Sequence, residues 1–276
     1  MTKFSVARLS PEVGAEIRGL DLSRPLETDT IVDINNAWLE HLVLVFRCGP
    51  ITEKEQARFA AYFGKTVGAH VTQRKDGGDR RLMLISNIRE NGKPIGALPD
   101  GELMFHSDSA FIEKPLKGTI LYAEEVTSAG GHTLFANMYQ VYDVLPKPLR
   151  TKLTGLRAVN IFDYKTLVKS VRFDRNTSPH AVHPAVRTHP ETGRKALYVN
   201  RLMTEELVGI APKESDAMLE ELFKYVENSD HIYEHVWEVN DLVMWDNRCT
   251  QHARTDFPAN ERRLLRRVGI EGDRPF

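Results

Sequence analysis

The fold is decided by a short apolar strand that runs into a polar turn and ends on a histidine: DLVMWDNRCTQH, residues 241–252. An apolar run of this length is typical of a buried strand, and the Asp-Asn-Arg segment after it has the composition of a turn. A β-barrel or sandwich presents functional side chains at its mouth in this way. The stretch therefore predicts a β-fold in which a strand end carries His252.

Further short runs of strand-like sequence lie on both sides of this one: LVLVF (42–46), LMLIS (82–86), GTILYAEEV (118–126), HTLFANM (132–138), ALYVN (196–200), HVWEV (235–239) and LLRRVGI (264–270). Gly130-Gly131, Thr192-Gly193 and Asn240-Asp241 are turn signals between them. Helices are predicted at only three places: from about Thr30 to Leu42, after the capping box Thr52-x-x-Glu55, and from near Pro212 to Val226. Many short strands with few helices favour a mainly β, jelly-roll-like sandwich over a βαβ fold.

The 276 residues contain no internal repeat and no linker-like change of composition, so we expect a single domain over residues 1–276. One stretch, at about 157–183, has weak periodicity and the turn-rich sequence Asn176-Thr177-Ser178-Pro179. Long irregular segments in compact domains are often lids or binding loops. We interpret it as a lid or insertion, with a plain surface excursion as the alternative.

Charge and cysteine content exclude several classes of protein. The net charge is −1, which gives the chain no general attraction to nucleic acid or to an anionic membrane. No apolar run approaches the ~20 residues of a membrane-spanning helix. Cys48 and Cys249 form no CxxC pair, which suits a reducing compartment. We expect a soluble, cytoplasmic protein.

Chemistry is indicated first by the sequence Met104-Phe105-His106-Ser107-Asp108. In a strand, residues i and i+2 point to the same face, so His106 and Asp108 would project together. They would supply two-thirds of a 2-His-1-carboxylate site, which leaves three positions open on Fe(II). A surface pair is the alternative, since His-x-Asp is common. His252 is the best third ligand, while His132 and His183 are rivals that spacing alone does not exclude.

The second indication is the basic run Arg262-Arg263-Leu264-Leu265-Arg266-Arg267. Such a run is usually a solvated edge. Strand alternation places Arg263, Leu265 and Arg267 on one face, and a cavity on that face would receive two cations. The arginine fork suits bidentate pairing with a carboxylate, as a dicarboxylate co-substrate would need. Alternatively, an internal acid such as Asp246 or Glu271 neutralises Arg267.

These motifs, in this order and spacing, resemble the taurine dioxygenase / 2,4-dichlorophenoxyacetate dioxygenase family of Fe(II)/2-oxoglutarate enzymes. The resemblance covers nearly the full length. The matching blocks are Gly14-Ala15-Glu16-Ile17-x-Gly19-x-Asp21-Leu22, His106-Ser107-Asp108-Ser109-x-Phe111, Gly130-Gly131-x-Thr133, His183-Pro184-x-Val186-Arg187-Thr188-His189, Trp245-Asp246-Asn247-Arg248-x-x-x-His252, and Arg263 with Arg267.

The resemblance implies a double-stranded β-helix core, a jelly-roll variant, and a homo-oligomer, either a dimer or a tetramer. It implies Fe(II), 2-oxoglutarate and O2 as the reactants that the protein assembles. Its site residues would be His106, Asp108 and His252 for iron, Thr133 and Arg263 for the distal carboxylate of 2-oxoglutarate, and Arg267 and His70 for the substrate.

The reaction implied is oxidation of a small organic anion, with release of succinate and CO2. A sulfonate, an alkyl sulfate and an aryloxyalkanoate are all compatible with the sequence. Hydroxylation of a carbon next to oxygen or sulfur would also cleave the C–O or C–S bond. Two alternatives remain at this stage: a zinc-dependent hydrolase that uses the same His-Asp-His set, and a non-catalytic jelly-roll binding protein. The hydrolase would leave Thr133 and Arg263 unexplained, and an intact His-Asp-His set with both arginines argues against the binding protein.

Overall fold

The computed structural model describes residues 4–68, 78–97, 101–162 and 178–276. His70 and the middle of the expected lid, 163–177, lie outside these residues. Within the described residues, no helix is both long enough and apolar enough to span a bilayer.

The described residues form short strands and five α-helices. The strands are β1 (Ser5–Arg8), β2 (Ala15–Arg18), β3 (Val43–Arg47), β4 (Thr66–Val67), β5 (Leu82–Ser86), β6 (Arg89–Glu90), β7 (Lys93–Pro94), β8 (Leu103–His106), β9 (Gly118–Glu125), β10 (Thr133–Asn137), β11 (Arg157–Ile161), β12 (His180–Pro184), β13 (Val186–Thr188), β14 (Lys195–Leu197), β15 (Thr204–Leu207), β16 (Ile232–His235), β17 (Asp241–Asp246), β18 (Thr250–Arg254) and β19 (Leu264–Ile270). The helices are α1 (Thr28–His41), α2 (Glu53–Ala61), α3 (Met138–Val144), α4 (Lys147–Leu153) and α5 (Pro212–Val226).

Two sheets form the core. The larger has the order β1-β2-β3-β17-β9-β19-β4, with β5 also paired to β19, and the smaller has the order β16-β10-β18-β8. They pack face to face, since the rings of Phe135 on β10 and Trp245 on β17 lie 5.4 Å apart. This is the expected mainly β jelly-roll core with flanking helices.

Helix α2 covers the outer face of the larger sheet. The predicted capping box is present: the Thr52 hydroxyl accepts from the Glu55 backbone N–H, and the Glu55 carboxylate accepts from that of Thr52. The ring of Phe59 packs against Phe46 of β3 at 5.2 Å. Because this face is filled by a helix, the face toward the smaller sheet is the one that can hold a site.

The predicted strands are largely confirmed, and three differ. The run ALYVN (196–200) is a strand only as far as Leu197, where β14 ends. In the run HTLFANM the strand ends at Asn137. The side-chain oxygen of Asn137 accepts hydrogen bonds from the backbone N–H groups of Tyr139 and Gln140, so this residue caps the start of helix α3. The run HVWEV is wrong as a strand, because β16 ends at His235. Trp237 instead turns inward, where its indole N–H donates to Thr133.

The segment at 157–183 begins and ends in regular structure. Its two ends lie in β11 and β12, which pair antiparallel with Ala158 opposite His183, and β15 pairs on the other side of β11. The irregular chain that we expected is therefore absent from both ends of the segment. Whether the centre acts as a lid stays a prediction.

Candidate active site

Three candidate iron ligands converge in the core. His106 ends β8, His252 lies directly opposite it on β18, and their ring centroids are 4.1 Å apart. Asp108 follows in the turn after β8, so strand alternation is not what brings it to His106. All three residues are buried, and their potential ligand atoms lie within 4.8 Å of one another.

A hydrogen bond orients the imidazole of His106. The Nδ1 of His106 lies 2.9 Å from the carbonyl oxygen of Met104, so Nδ1 carries the proton and Nε2 keeps its lone pair. That Nε2 lies 4.0 Å from Oδ1 of Asp108. The buried Nδ1 of His252 has no hydrogen-bond partner among the described residues. Lone pairs directed at a shared point are what a metal site requires.

The protonation states also suit a cation. Burial lowers the pKa of His106. Burial and the charge of the neighbouring His106 ring together lower the pKa of His252 to about 3. Burial alone would raise the pKa of Asp108, but the charge of Arg267, the two imidazoles and a hydrogen bond from Thr119 hold it well below its usual range. Neutral imidazoles and an ionised carboxylate are the forms that bind metal.

The rival histidines lie elsewhere in the structure. The ring nitrogen Nδ1 of His132 is 2.6 Å from the Glu234 carboxylate, on a partly exposed cross-strand pair. His183 is buried, and its Nε2 lies 2.9 Å from the carbonyl oxygen of Ile112. Both are outside the cluster of His106, Asp108 and His252.

The basic run of residues 262–267 is mostly buried. Arg263 and Arg266 are 3% and 4% exposed, whereas Arg262 lies on the surface with Glu125. Arg266 points to the outer face, where it donates to the carbonyl oxygen of Ile51. Arg267 points inward, and its Nη2 lies 2.9 Å from Oδ2 of Asp108. Alternation along β19 thus separates the arginines as expected, which excludes a wholly solvated edge.

Arg263 lies at a cavity of about 130 Å³ that is lined by the 126–132 loop, Val236, Trp237 and Arg263 itself. Its guanidinium donates to the carbonyl oxygen of Gly131, and its buried Nη1 has no partner among the described residues. Thr133 is connected to this cavity through Trp237, whose indole N–H donates to the Thr133 hydroxyl at 3.0 Å. Thr133 is thus linked to the cavity of Arg263 through Trp237, a residue that sequence reasoning missed.

A second cluster of potential ligands consists of His189, Asp246 and Cys249. Asp246 and Cys249 lie a few residues before His252 in the sequence. His189 Nδ1 accepts from the backbone N–H groups of Glu191 and Thr192, so its Nε2 carries the proton and donates to Asp246. Asp246 is also held by two nitrogens of Arg248. Burial raises the pKa of the Cys249 thiol. With its imidazole fully engaged, this cluster is a structural network.

A jelly-roll core with a buried His-Asp-His set is typical of mononuclear non-haem iron oxygenases. Comparison with known proteins makes the assignment specific. The family described as Taurine catabolism dioxygenase TauD, TfdA family matches residues 5–268. The chain belongs to this family, and it is an Fe(II)- and 2-oxoglutarate-dependent dioxygenase. The oxygenase is thereby favoured over the zinc hydrolase and the binding protein.

Individual relatives agree with the assignment. The (S)-phenoxypropionate/alpha-ketoglutarate-dioxygenase of Sphingobium herbicidovorans is 31% identical over 98% of this chain and 96% of the relative. The crystal structure of a taurine dioxygenase from Burkholderia xenovorans superimposes with a TM-score of 0.83 at 31% identity, covering 99% of this chain and 91% of that one. The crystal structure of AAD-2 in complex with Mn(II) and N-oxalylglycine gives 0.82 at 27% identity, covering 100% and 99%.

Proposed function

We propose that His106, Asp108 and His252 hold the iron, that Arg263 and Thr133 bind the distal carboxylate of 2-oxoglutarate, and that Arg267 binds the acidic group of a small organic anion. The observation that carries this proposal is a buried Arg263 without an acidic partner among the described residues, in a chain that also contains a buried His-Asp-His set. Across residues 4–68, 78–97, 101–162 and 178–276, no acidic side chain forms an ion pair with Arg263.

An arginine in this setting favours an anionic ligand. Burial and the nearby charge of Arg254 lower the pKa of Arg263 to about 9, so its charged form, although it predominates at neutral pH, is less stable than that of an arginine in water. A carboxylate placed against Nη1 would offset both effects and would satisfy a donor that is otherwise unmatched. Thr133 can assist, because its hydroxyl accepts from Trp237 and keeps its own proton to donate.

When bound together, iron and 2-oxoglutarate activate O2 and oxidise a C–H bond of the substrate, with release of succinate and CO2. The protein contributes an ordered, dry environment. The rings of Phe135 and Trp245 pack around His252, with centroids at 6.3 and 4.7 Å, and they exclude water from that side. His106 is held by the carbonyl of Met104, so its lone pair keeps one direction.

Charge supports an anionic substrate. Leaving aside Arg254, iron(II), Arg263 and Arg267 together carry four positive charges, whereas Asp108 and the two carboxylates of 2-oxoglutarate carry three negative charges. The site would retain one positive charge, and Arg267 is the group next to the iron ligand. A sulfonate, sulfate ester or carboxylate with a single charge would neutralise it. Such a substrate would lose a C–O or C–S bond if the carbon beside oxygen or sulfur is the one oxidised.

The decisive experiment is a screen for succinate release that depends on the substrate. It would compare a taurine-like sulfonate, a linear alkyl sulfate and a phenoxypropionate, each with Fe(II) and 2-oxoglutarate. Each active acid would then be compared with its amide or methyl ester. We expect the uncharged analogue to react far more slowly. Equal turnover of the acid and its amide would show that no anion site is used.

We also propose that residues 1–276 form one domain, because the larger sheet alone includes strands from Ser5 to Ile270. A homo-oligomer, dimeric or tetrameric, is part of the same proposal, and light scattering coupled to size exclusion would test it against a monomer. Cys48 and Cys249 are both free, which supports a reducing compartment such as the cytoplasm. His70 is retained as a candidate substrate contact.

A further inference from the structure

The two oxygens of the Asp108 carboxylate have different surroundings. Oδ2 accepts a hydrogen bond of 2.6 Å from the Thr119 hydroxyl and also faces Nη2 of Arg267 at 2.9 Å. Oδ1 is the oxygen on the side of His106, 4.0 Å from its Nε2. Two donors therefore occupy one oxygen, and the other is directed at the histidines.

The direction of the Thr119 proton is fixed by a neighbour. The Thr119 hydroxyl accepts a hydrogen bond of 2.9 Å from Nδ2 of Asn247, so its own proton is free to point at Asp108. The Asn247 amide cannot flip without loss, because its oxygen accepts from the indole N–H of Trp245 at 2.9 Å. An indole nitrogen only donates, so it identifies the oxygen of the amide.

This chain of hydrogen bonds lies on the rigid part of the fold. Thr119 on β9 lies directly opposite Trp245 on β17 in the larger sheet. Thr119 and Asn247 are 0% exposed, and Trp245 is 1% exposed. The same Asn247 oxygen is 3.4 Å from the backbone nitrogen of Asp108, which connects the turn after β8 to the network. No member can move without leaving a buried polar atom unsatisfied.

We propose that Thr119, held by Asn247, is a positioning residue for the iron centre: its hydroxyl occupies Oδ2 of Asp108, so that the carboxylate binds iron through Oδ1 alone. The inference rests on the proposed role of Asp108 as an iron ligand. The proposal determines how many coordination positions on the iron the protein would occupy. A carboxylate that bound through both oxygens would take an extra position, whereas one oxygen and two imidazoles leave three positions for the 2-oxo acid and O2.

Thr119 and Arg267 contribute differently to this arrangement. The guanidinium brings a charge that lowers the pKa of Asp108, and it also faces the proposed substrate site. The hydroxyl brings no charge and is fully enclosed between β9 and β17. Replacement of Thr119 therefore tests the orientation of the carboxylate with little change in the charge of the site.

The test is Thr119→Val, which keeps the shape and removes the donor, with Thr119→Ser as the conservative rescue. Co(II) and Mn(II) are titrated anaerobically into the metal-free protein, and the visible absorption of the Co(II) form is recorded. We expect Thr119→Val to weaken metal binding by about 10- to 100-fold and to alter the Co(II) spectrum. Thr119→Ser should restore both to within about threefold of wild type.

Thr204→Val is the matched control. Thr204 is equally buried, and its hydroxyl donates to the side-chain oxygen of Asn160 at 2.8 Å in the sheet of β11 and β15, with no contact to Asp108. It should leave metal affinity and the Co(II) spectrum unchanged. Thermal unfolding verifies that each variant is folded. If Thr119→Val does not fold, Thr119→Ala replaces it under the same criterion.

The variant Asp108→Ala distinguishes a failure of the proposed ligand set from a failure of the positioning role of Thr119. If Asp108→Ala binds Co(II) as wild type does, the proposed ligand set is wrong. If Asp108→Ala loses the metal while Thr119→Val keeps wild-type affinity and spectrum, only the positioning role is overturned. Equal effects of Thr119→Val and Thr204→Val, or a failure of Thr119→Ser to rescue, would likewise overturn it.

Discussion

The guanidinium of Arg267 lies 2.9 Å from Oδ2 of Asp108, so the cation proposed for the substrate is paired with a proposed iron ligand. The sequence suggested Asp246 or Glu271 as an internal partner, but Asp246 is held by Arg248 and Glu271 by Lys65. A carboxylate that shares its charge with a metal attracts a guanidinium less strongly. The pair would therefore couple the proposed metal site to the proposed substrate site.

The two inward arginines should be separable by kinetics. Arg263→Gln should raise the KM for 2-oxoglutarate by about 10- to 100-fold, because a hydrogen bond to a charged group is lost in a buried site. Arg267→Gln should raise the KM for the anionic substrate by a similar factor, with a smaller effect on 2-oxoglutarate. The measurement is succinate release at varied concentrations of each reactant.

Arg262→Gln is the control for this pair, because Arg262 lies on the surface with Glu125. It should leave both KM values unchanged. An exchange of the two effects would reverse the assignment of Arg263 and Arg267, and the absence of any effect would return the basic run to a structural role.

The ligand set predicts which histidines the metal needs. His106→Ala and His252→Ala should each lose tight binding of Fe(II), measured as metal bound after anaerobic dialysis, while the β-sheet circular dichroism is kept. His132→Ala should bind as wild type does, because His132 pairs with Glu234 at the partly exposed edge. Metal loss in His132→Ala together with normal binding in His252→Ala would contradict the proposed set.

His183 should make stability depend on pH. Burial lowers its pKa to about 4, below the ordinary value of ~6.5, so the unfolded chain binds the proton more readily between these two values. Stability should therefore fall as pH drops from about 6.5 to about 4, by roughly 3 kcal/mol from this group, with no further loss from it below that range.

The measurement is urea unfolding at several pH values for the wild type and His183→Gln, both metal-free. The variant loses the titrating group, so its stability should vary less with pH over that interval. The proposed metal-ligand histidines remain in both proteins, and their contribution cancels in the difference. Parallel curves for the two proteins would contradict the prediction.

The buried pair of Arg248 and Asp246 should be important for stability. Burial would raise the pKa of Asp246, but Arg248 and His189 hold it well below the ordinary range. Arg248→Met would leave this carboxylate without its bidentate partner, at a cost of about 3–5 kcal/mol in unfolding free energy. Guanidinium unfolding measures it, with the surface substitution Arg262→Met as the control. A shift no larger than that of the control would show that the pair is dispensable.

Much of this site could be predicted because its chemistry is carried by short motifs. Periodicity located β17 and β19 correctly, and β19 has the predicted bounds, Leu264–Ile270. The alternation of Arg263 and Arg267 followed from the strand period of two. The reasoning for Asp108 was wrong in its geometry, since β8 ends at His106 and the carboxylate comes from the following turn.

The residues that were missed act through tertiary contacts. Thr119 is one of several threonines, and its hydroxyl reaches Asp108 only because the turn after β8 lies against β9 in the folded chain. Trp237 was assigned to a strand as part of the run HVWEV, whereas its indole N–H in fact donates to the Thr133 hydroxyl. Hydrogen bonds between residues far apart in sequence leave no periodic trace. Asn247 was part of the turn motif quoted from the sequence, but its hydrogen bond to Thr119 could not be predicted.

The packing of Trp245 against His252, with ring centroids 4.7 Å apart, has an optical consequence. The indole is 1% exposed, and its N–H donates to Asn247, so its fluorescence should be emitted from a fixed, water-free environment. A transition-metal ion bound to the neighbouring imidazole would lie within range to quench that emission. Under the proposed ligand set, Trp245 would thereby serve as a natural reporter of metal loading, readable by titration without a label or a substrate.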